Sequence, residues 1–190
     1  MTRAEVVTVI QGHYNYQKYL EIGIKARFTF DQIECKFKVG LDTRGACKPT
    51  YGAMSSDEYF ANEKYKDEQF DLVFIDGDHN KEQVEKDINN SLKRLLPNGT
   101  IVLHDMNPPN KDHFHENLCG NGWEAFAKLR TTRKDLNMFC IPDDLGVGII
   151  QRGSQELYEE EIKSDWEFFK KHKNEIMKFV EFNRITENLV

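Results

Sequence analysis

The sequence has no paired cysteines, no surplus of positive charge, no leader-like start and no long apolar run, and each absence argues against a class of function. Its four cysteines, Cys35, Cys47, Cys119 and Cys140, lie far apart and include no C-x-x-C pair. Neither a disulfide framework nor a zinc ribbon is expected from that spacing, which fits reduced thiols in a reducing compartment. With 32 acidic against 26 basic residues, the net charge is -6. The overall field therefore repels a phosphate backbone, which argues against a nucleic-acid partner. The opening stretch MTRAEVVTVIQGHYNYQ has no cationic start followed by an apolar core, and no segment approaches the ~20 apolar residues of a membrane span. A cytoplasmic protein with no membrane partner is the expectation. Repeats and low-complexity tracts are also missing, and 190 residues suit one domain.

What is present is an alternation of strand-like and helix-like segments. Lys18-Tyr-Leu-Glu-Ile-Gly23 ends in glycine, as a buried strand does when it turns sharply. Phe37-Lys-Val-Gly-Leu-Asp42, Phe70-Asp-Leu-Val-Phe-Ile-Asp76 and Thr100-Ile-Val-Leu-His-Asp105 each end in a carboxylate. The third of these four segments is nearly continuous in apolar residues, the pattern of a parallel strand covered on both faces. Residues 81–96 place Val84, Ile88, Leu92 and Leu95 on one helical stripe, stopped by Pro97-Asn98-Gly99. Residues 122–133 read as a further helix, with Trp123 and Phe126 as its core contacts. Asn137-Met-Phe-Cys-Ile141 and Val147-Gly-Ile-Ile150 then read as an antiparallel edge hairpin. Trp166, Phe169, Ile176 and Phe179 predict a long amphipathic C-terminal helix, packed on the sheet or on a second copy. The fold class that follows is α/β, with a doubly wound, mostly parallel sheet.

In such sheets ligands lie outside the carboxyl ends of the strands, where the winding reverses. Glu21, Asp42, Asp76 and Asp105 all fall at or beside such ends. Any one of them could simply cap the next helix; four in register point to a site. A carboxylate ending the second strand can accept both hydroxyls of a ribose, and Gly23 allows close approach to the backbone.

Tyr19-Leu-Glu-Ile-Gly23, Val39-Gly-Leu-Asp42, Ser55-Ser-Asp-Glu-Tyr-Phe60, Phe70-Asp-Leu-Val-Phe-Ile-Asp-Gly-Asp-His79, Leu96-Pro-Asn-Gly-Thr-Ile-Val-Leu-His-Asp-Met106 and Asp143-Asp-Leu-Gly-Val-Gly-Ile-Ile150 together resemble class I S-adenosylmethionine-dependent methyltransferases. The likeness is greatest to the small methyltransferases called methyltransferase domain 24. It implies a Rossmann-like domain over residues 1–153, with residues 154–190 as a helical extension of it. It further implies that Glu21 and Gly23 face the methionine end of the cofactor, Asp42 the ribose, Ser55 and Ser56 the adenine, and Asp76, Gly77, Asp78 and His79 the mouth near the transferred methyl. One position departs from the family pattern, because Arg27 stands where a second glycine is usual. Three readings follow: Arg27 faces solvent, it grips the cofactor carboxylate with its fork, or it blocks the pocket.

Methyl transfer to a hydroxyl needs positioning and removal of a proton. His104 and His79 are the candidate bases, with Asp105 beside them, and each histidine could equally be a structural ring at a strand end. Asp76 and Asp105 could instead hold Mg2+ or Mn2+, as in the catechol-type enzymes this pattern also resembles. The loop after the fourth strand carries His113 and His115 without a recognised zinc spacing, and is expected to recognise the acceptor. The expected activity is methyl transfer from S-adenosylmethionine to a small polar acceptor, a sugar hydroxyl first of all. Two other activities fit the same residues, a non-catalytic adenosyl-binding scaffold and a metal-dependent hydrolase.

Overall fold

The computed structural model describes residues 1–190. Six strands form one sheet: β1 Lys18–Ile22, β2 Phe37–Leu41, β3 Phe70–Ile75, β4 Leu95–Leu103, β5 Leu136–Ile141 and β6 Val147–Arg152. Their order is β2-β1-β3-β4-β6-β5. The first four are mutually parallel, and β6 runs antiparallel to both β4 and β5. The expected doubly wound sheet and its antiparallel hairpin are both present, and the winding reverses between β1 and β3.

Strand alternation supplies two cores. Leu20, Ile22, Val73, Ile75, Ile101 and Leu103 point to one face, where α4 (Lys81–Arg94), α5 (Trp123–Thr132) and α6 (Trp166–Met177) cover them. Tyr19, Leu72, Phe74 and Val102 point to the other, under α1 (Arg3–Tyr14), α2 (Phe28–Gln32) and α7 (Ile185–Asn188). A short α3 (Ser56–Ala61) adds Tyr59 to the first core. Trp123 and Phe126 are fully buried, as expected of core contacts. No helix is long and apolar enough to cross a membrane.

Three local expectations change. Helix α1 precedes the first expected strand, and Thr2-Arg-Ala-Glu5 forms a reciprocal capping box ahead of its buried Val6, Val7 and Ile10. Helix α4 stops at Arg94, and Leu95-Leu-Pro-Asn-Gly-Thr100 already belongs to β4. Leu95 pairs with Phe70, and Arg152 donates to the carbonyls of Leu92, Leu95 and Leu96, satisfying the end of the helix that Pro97 cannot continue. The C-terminal segment is not one long helix. Lys178 turns left-handed after α6, and Phe179 bridges to Cys140 at the sheet edge. The stripe Phe169, Ile176 and Met177 is spent on the protein's own core.

Candidate functional site

The carboxyl ends of β1, β2, β3 and β4 open into one cleft of about 630 Å³. At its floor, Gly23 has φ +88°, and a Cβ there would sit 2.3 Å from the Asp76 carbonyl oxygen. Glycine is thus required by the contact between the two strand-end loops themselves. Beyond it the loop takes two more left-handed residues, Lys25 and Arg27, with φ of 39° and 61°. The Lys25 backbone N–H donates to Asp42 at 2.9 Å, which ties this loop to the end of β2.

Asp42 is the hub of the β2 side. Its two oxygens receive Arg44 Nε and Nη2, each at 2.9 Å, as a parallel fork. That fork, helped by the Arg44 and Lys25 backbone amides, holds its carboxyl down at about 2. Ser55 caps α3, with its hydroxyl shared between the Glu58 backbone and carboxylate. Ser56 accepts from Gln83, next to the buried Asp87, whose carboxyl is pushed up to about 6 by burial.

The β3 and β4 side is denser in charge. Asp105 Oδ2 lies 3.2 Å from both His79 Nε2 and His104 Nδ1, and His104 Nδ1 is 3.4 Å from Asp76 Oδ1. Asp105 itself is left-handed, with φ 64°, and the next two backbone N–H groups, of Met106 and Asn107, donate to the Gly146 and Leu145 carbonyls. From the far end of the chain, Asp144 in the β5–β6 turn reaches 3.7 Å from His104 Nε2. Arg3, the first residue of α1, places Nε 3.2 Å from Asp76 and its backbone N–H 2.6 Å from Asp144. Burial opposes a charge on His104, but hydrogen bonds to Asp105, Asp144 and Asp76 outweigh it and raise its pKa to about 11. Three carboxylates about one ring favour its protonated form, and Arg3 Nη1 also lies 3.4 Å from Nε2. Burial raises the Asp105 carboxyl and the two histidines lower it, with a net lowering. Asp76, His79 and Asp105 bring one ligand atom each to within 4.8 Å of one another.

Of the sequence-predicted residues, Gly23, Asp42, Ser55, Ser56, Asp76, Gly77, Asp78, His79, His104 and Asp105 line this cleft. Glu21 and Arg27 do not. Glu21 is buried beneath the floor, where Tyr19 donates to it at 2.5 Å and loss of water pushes its carboxyl up to about 8. Arg27 turns away to Asp31 and the Lys48 carbonyl and lies over the Phe30 ring, so it neither grips nor blocks anything in the cleft. His113 and His115 bond to Asn110 and Asn117 in their own loop, although Asn117 and Leu118 of that loop do reach the cleft. Sequence reasoning missed Arg3, Lys25, Arg44 and Asp144. Only Arg3 had a signal, the capping box that places it at the start of a helix.

Comparisons with known proteins agree with this architecture. A family model described as a methyltransferase domain matches residues 6–106. An O-methyltransferase from Bacillus cereus, solved with SAH, superposes with a TM-score of 0.60 at 14% identity, over 79% of this chain and 80% of that one. The SAH-bound methyltransferase PaMTH1 of Podospora anserina gives 0.61 at 18% identity, over 80% and 78%. The cofactor-bound Rv0187 from MTB gives 0.62 at 14%, over 80% of each chain. No relative among curated proteins matches the sequence. At such identities the superpositions establish the fold, while the sequence match covers more than half of the chain, and the protein belongs to this methyltransferase domain family.

Proposed function

We propose that this chain transfers the methyl group of S-adenosylmethionine to oxygen of a small polar acceptor, with a sugar hydroxyl the first to test. The observation that carries this reading is that one cleft joins a two-oxygen acceptor, Asp42, to a histidine–carboxylate group, His79 with Asp105. The Arg44 fork gives Asp42 one donor per oxygen, and two ribose hydroxyls would do the same. Arg44 gives way to the nucleoside in this reading, and 56% of its side chain is already exposed. Ser55 and Ser56 border the adenine end, and the backbone of Asp76, Gly77 and Asp78 borders the reacting end.

The transfer is an in-line displacement in which the acceptor oxygen forms a bond to the methyl carbon as the carbon–sulfur bond breaks. The hydroxyl proton passes to His79, and Asp105 stabilises the imidazolium that results. His104, Arg3 and Asp144 fix the position and charge of Asp76 and Asp105. Asp76, His79 and Asp105 converge closely enough to share a divalent cation; the two carboxylates suit Mg2+ or Mn2+, and such an ion when bound would acidify the acceptor hydroxyl.

Two measurements test the proposal. Titration calorimetry with S-adenosylhomocysteine comes first, and no binding would overturn it. Transfer of labelled methyl to a panel of hydroxyl acceptors, with and without chelator, comes second. Binding without turnover on any acceptor would favour the adenosyl-binding scaffold. Activity in excess chelator removes the metal and leaves proton removal to His79 or His104, and loss restored by Mg2+ establishes metal dependence.

A further inference from the structure

The cofactor proposed above carries a carboxylate, and the cleft that would hold it is lined by Asp42, Asp57, Asp76, Asp78, Asp87 and Asp105. An anion entering such a cleft needs a cation whose charge is not already matched. Three lysine or arginine side chains line the cleft: Arg3, Lys25 and Arg44. Arg3 is held at 3.2 Å by Asp76 and 3.5 Å by Asp144, and Arg44 is held at 2.9 Å by Asp42. In the ligand-free cleft Lys25 alone has no carboxylate within salt-bridge distance of its ammonium, so it is the one cation that need not first release a partner. Its backbone is nonetheless fixed, because its N–H donates to Asp42 at 2.9 Å and its φ is 39°, in the left-handed region that a lysine occupies only under constraint. The side chain therefore departs from an anchored point next to the carboxylate assigned to the ribose, on the loop that follows β1.

Resting on the cofactor assignment above, we propose that Lys25 binds the amino-acid carboxylate of the cofactor, the role that the sequence pattern suggests for Arg27. A long ammonium side chain is suited to this, since it can follow the ligand without a fixed fork geometry. The contact is at the exposed rim of the cleft, so its contribution is modest and sensitive to salt.

The test compares two ligands that share the adenosyl thioether and differ in the amino-acid group. S-Adenosylhomocysteine and methylthioadenosine are titrated calorimetrically into wild type, Lys25→Ala, Lys25→Gln and Lys25→Arg. Alanine and glutamine keep the Cβ, so the left-handed turn is not relaxed as it would be by glycine. The expected result is a loss of about three- to tenfold in S-adenosylhomocysteine affinity for the alanine and glutamine variants. Lys25→Arg should keep most of the affinity, and methylthioadenosine should bind all four proteins equally. Unchanged S-adenosylhomocysteine affinity in Lys25→Ala overturns the inference while leaving the cofactor assignment intact. An equal loss for both ligands also overturns it, because Lys25 would then be acting through the loop. Failure of wild type to bind either ligand removes the cofactor assignment and this inference with it.

Discussion

The two ends of the cleft are built in opposite ways. At the β2 end the polar contacts are local: Asp42 is matched by Arg44, two residues on, and by the Lys25 backbone in the adjoining strand-end loop. Asp42 is buried there, but its partner Arg44 has 56% of its side chain exposed and can swing out to water when another donor takes its place. At the β3–β4 end the contacts span the chain, since Arg3 meets Asp144 across 141 positions and His104 across 101. His104 and Asp105 are about as buried as Asp42, but each charge there has several partners, so removing any one leaves others unmatched. An exchangeable end suits a cofactor that enters and leaves in every cycle, and a rigid end suits groups that must stay in place during chemistry.

The largest effect expected from this contrast falls at the rigid end. His79→Ala should lower the methyl-transfer kcat by about 10²–10⁴-fold, while S-adenosylhomocysteine affinity stays within a factor of about two. Steady-state kinetics beside calorimetry separate the two, and a loss confined to binding would reverse the division of labour. At the exchangeable end, Asp42→Ala should cost about 1.5–3 kcal/mol of S-adenosylhomocysteine binding, the scale of hydrogen bonds to a charged group. A melting scan of the ligand-free variant checks that its loop remains folded.

Beneath both ends lies Glu21, whose carboxyl stays protonated to about pH 8 in the folded state. Its folded pKa is above the unfolded value, so its stabilising contribution is complete below about pH 4.5 and is lost as pH rises toward 8. Glu21→Gln should remove that dependence and raise stability at pH 8 by about 1–3 kcal/mol, read from denaturant unfolding at pH 5 and pH 8. It should leave cofactor affinity unchanged, because Glu21 does not line the cleft. Arg44→Ala should tighten S-adenosylhomocysteine binding by ~1 kcal/mol or less, since Asp42 no longer has to release its fork. Weaker binding in that variant would mean that Arg44 itself touches the ligand. The smallest effect is expected at Arg27, where Arg27→Ala should not alter affinity, as its guanidinium is engaged by Asp31 and Lys48 outside the cleft.

The sheet and most of the cleft could be read from the order of residues because each depends on short-range regularity. Phe70-Asp-Leu-Val-Phe-Ile-Asp76 is apolar enough to require burial on both faces, and strand–helix alternation then forces parallel pairing with strand ends on one edge. That is why Asp42, Asp76 and Asp105 are legible in the sequence as neighbours at one edge of the sheet. What could not be read is what depends on which way a side chain leaves a turn or on distant chain segments. Arg27 and Lys25 are two residues apart in the same loop, and only the left-handed angles of that loop send one to Asp31 and leave the other at the cleft. Sequence spacing likewise cannot show that a helix starting at Arg3 and a turn at Asp144 close over His104. Hydrophobic periodicity, a local property, is enough to place the strand-end carboxylates. Which charges meet is a matter of packing, because an ion pair forms wherever packing brings its partners together, whatever their separation along the chain.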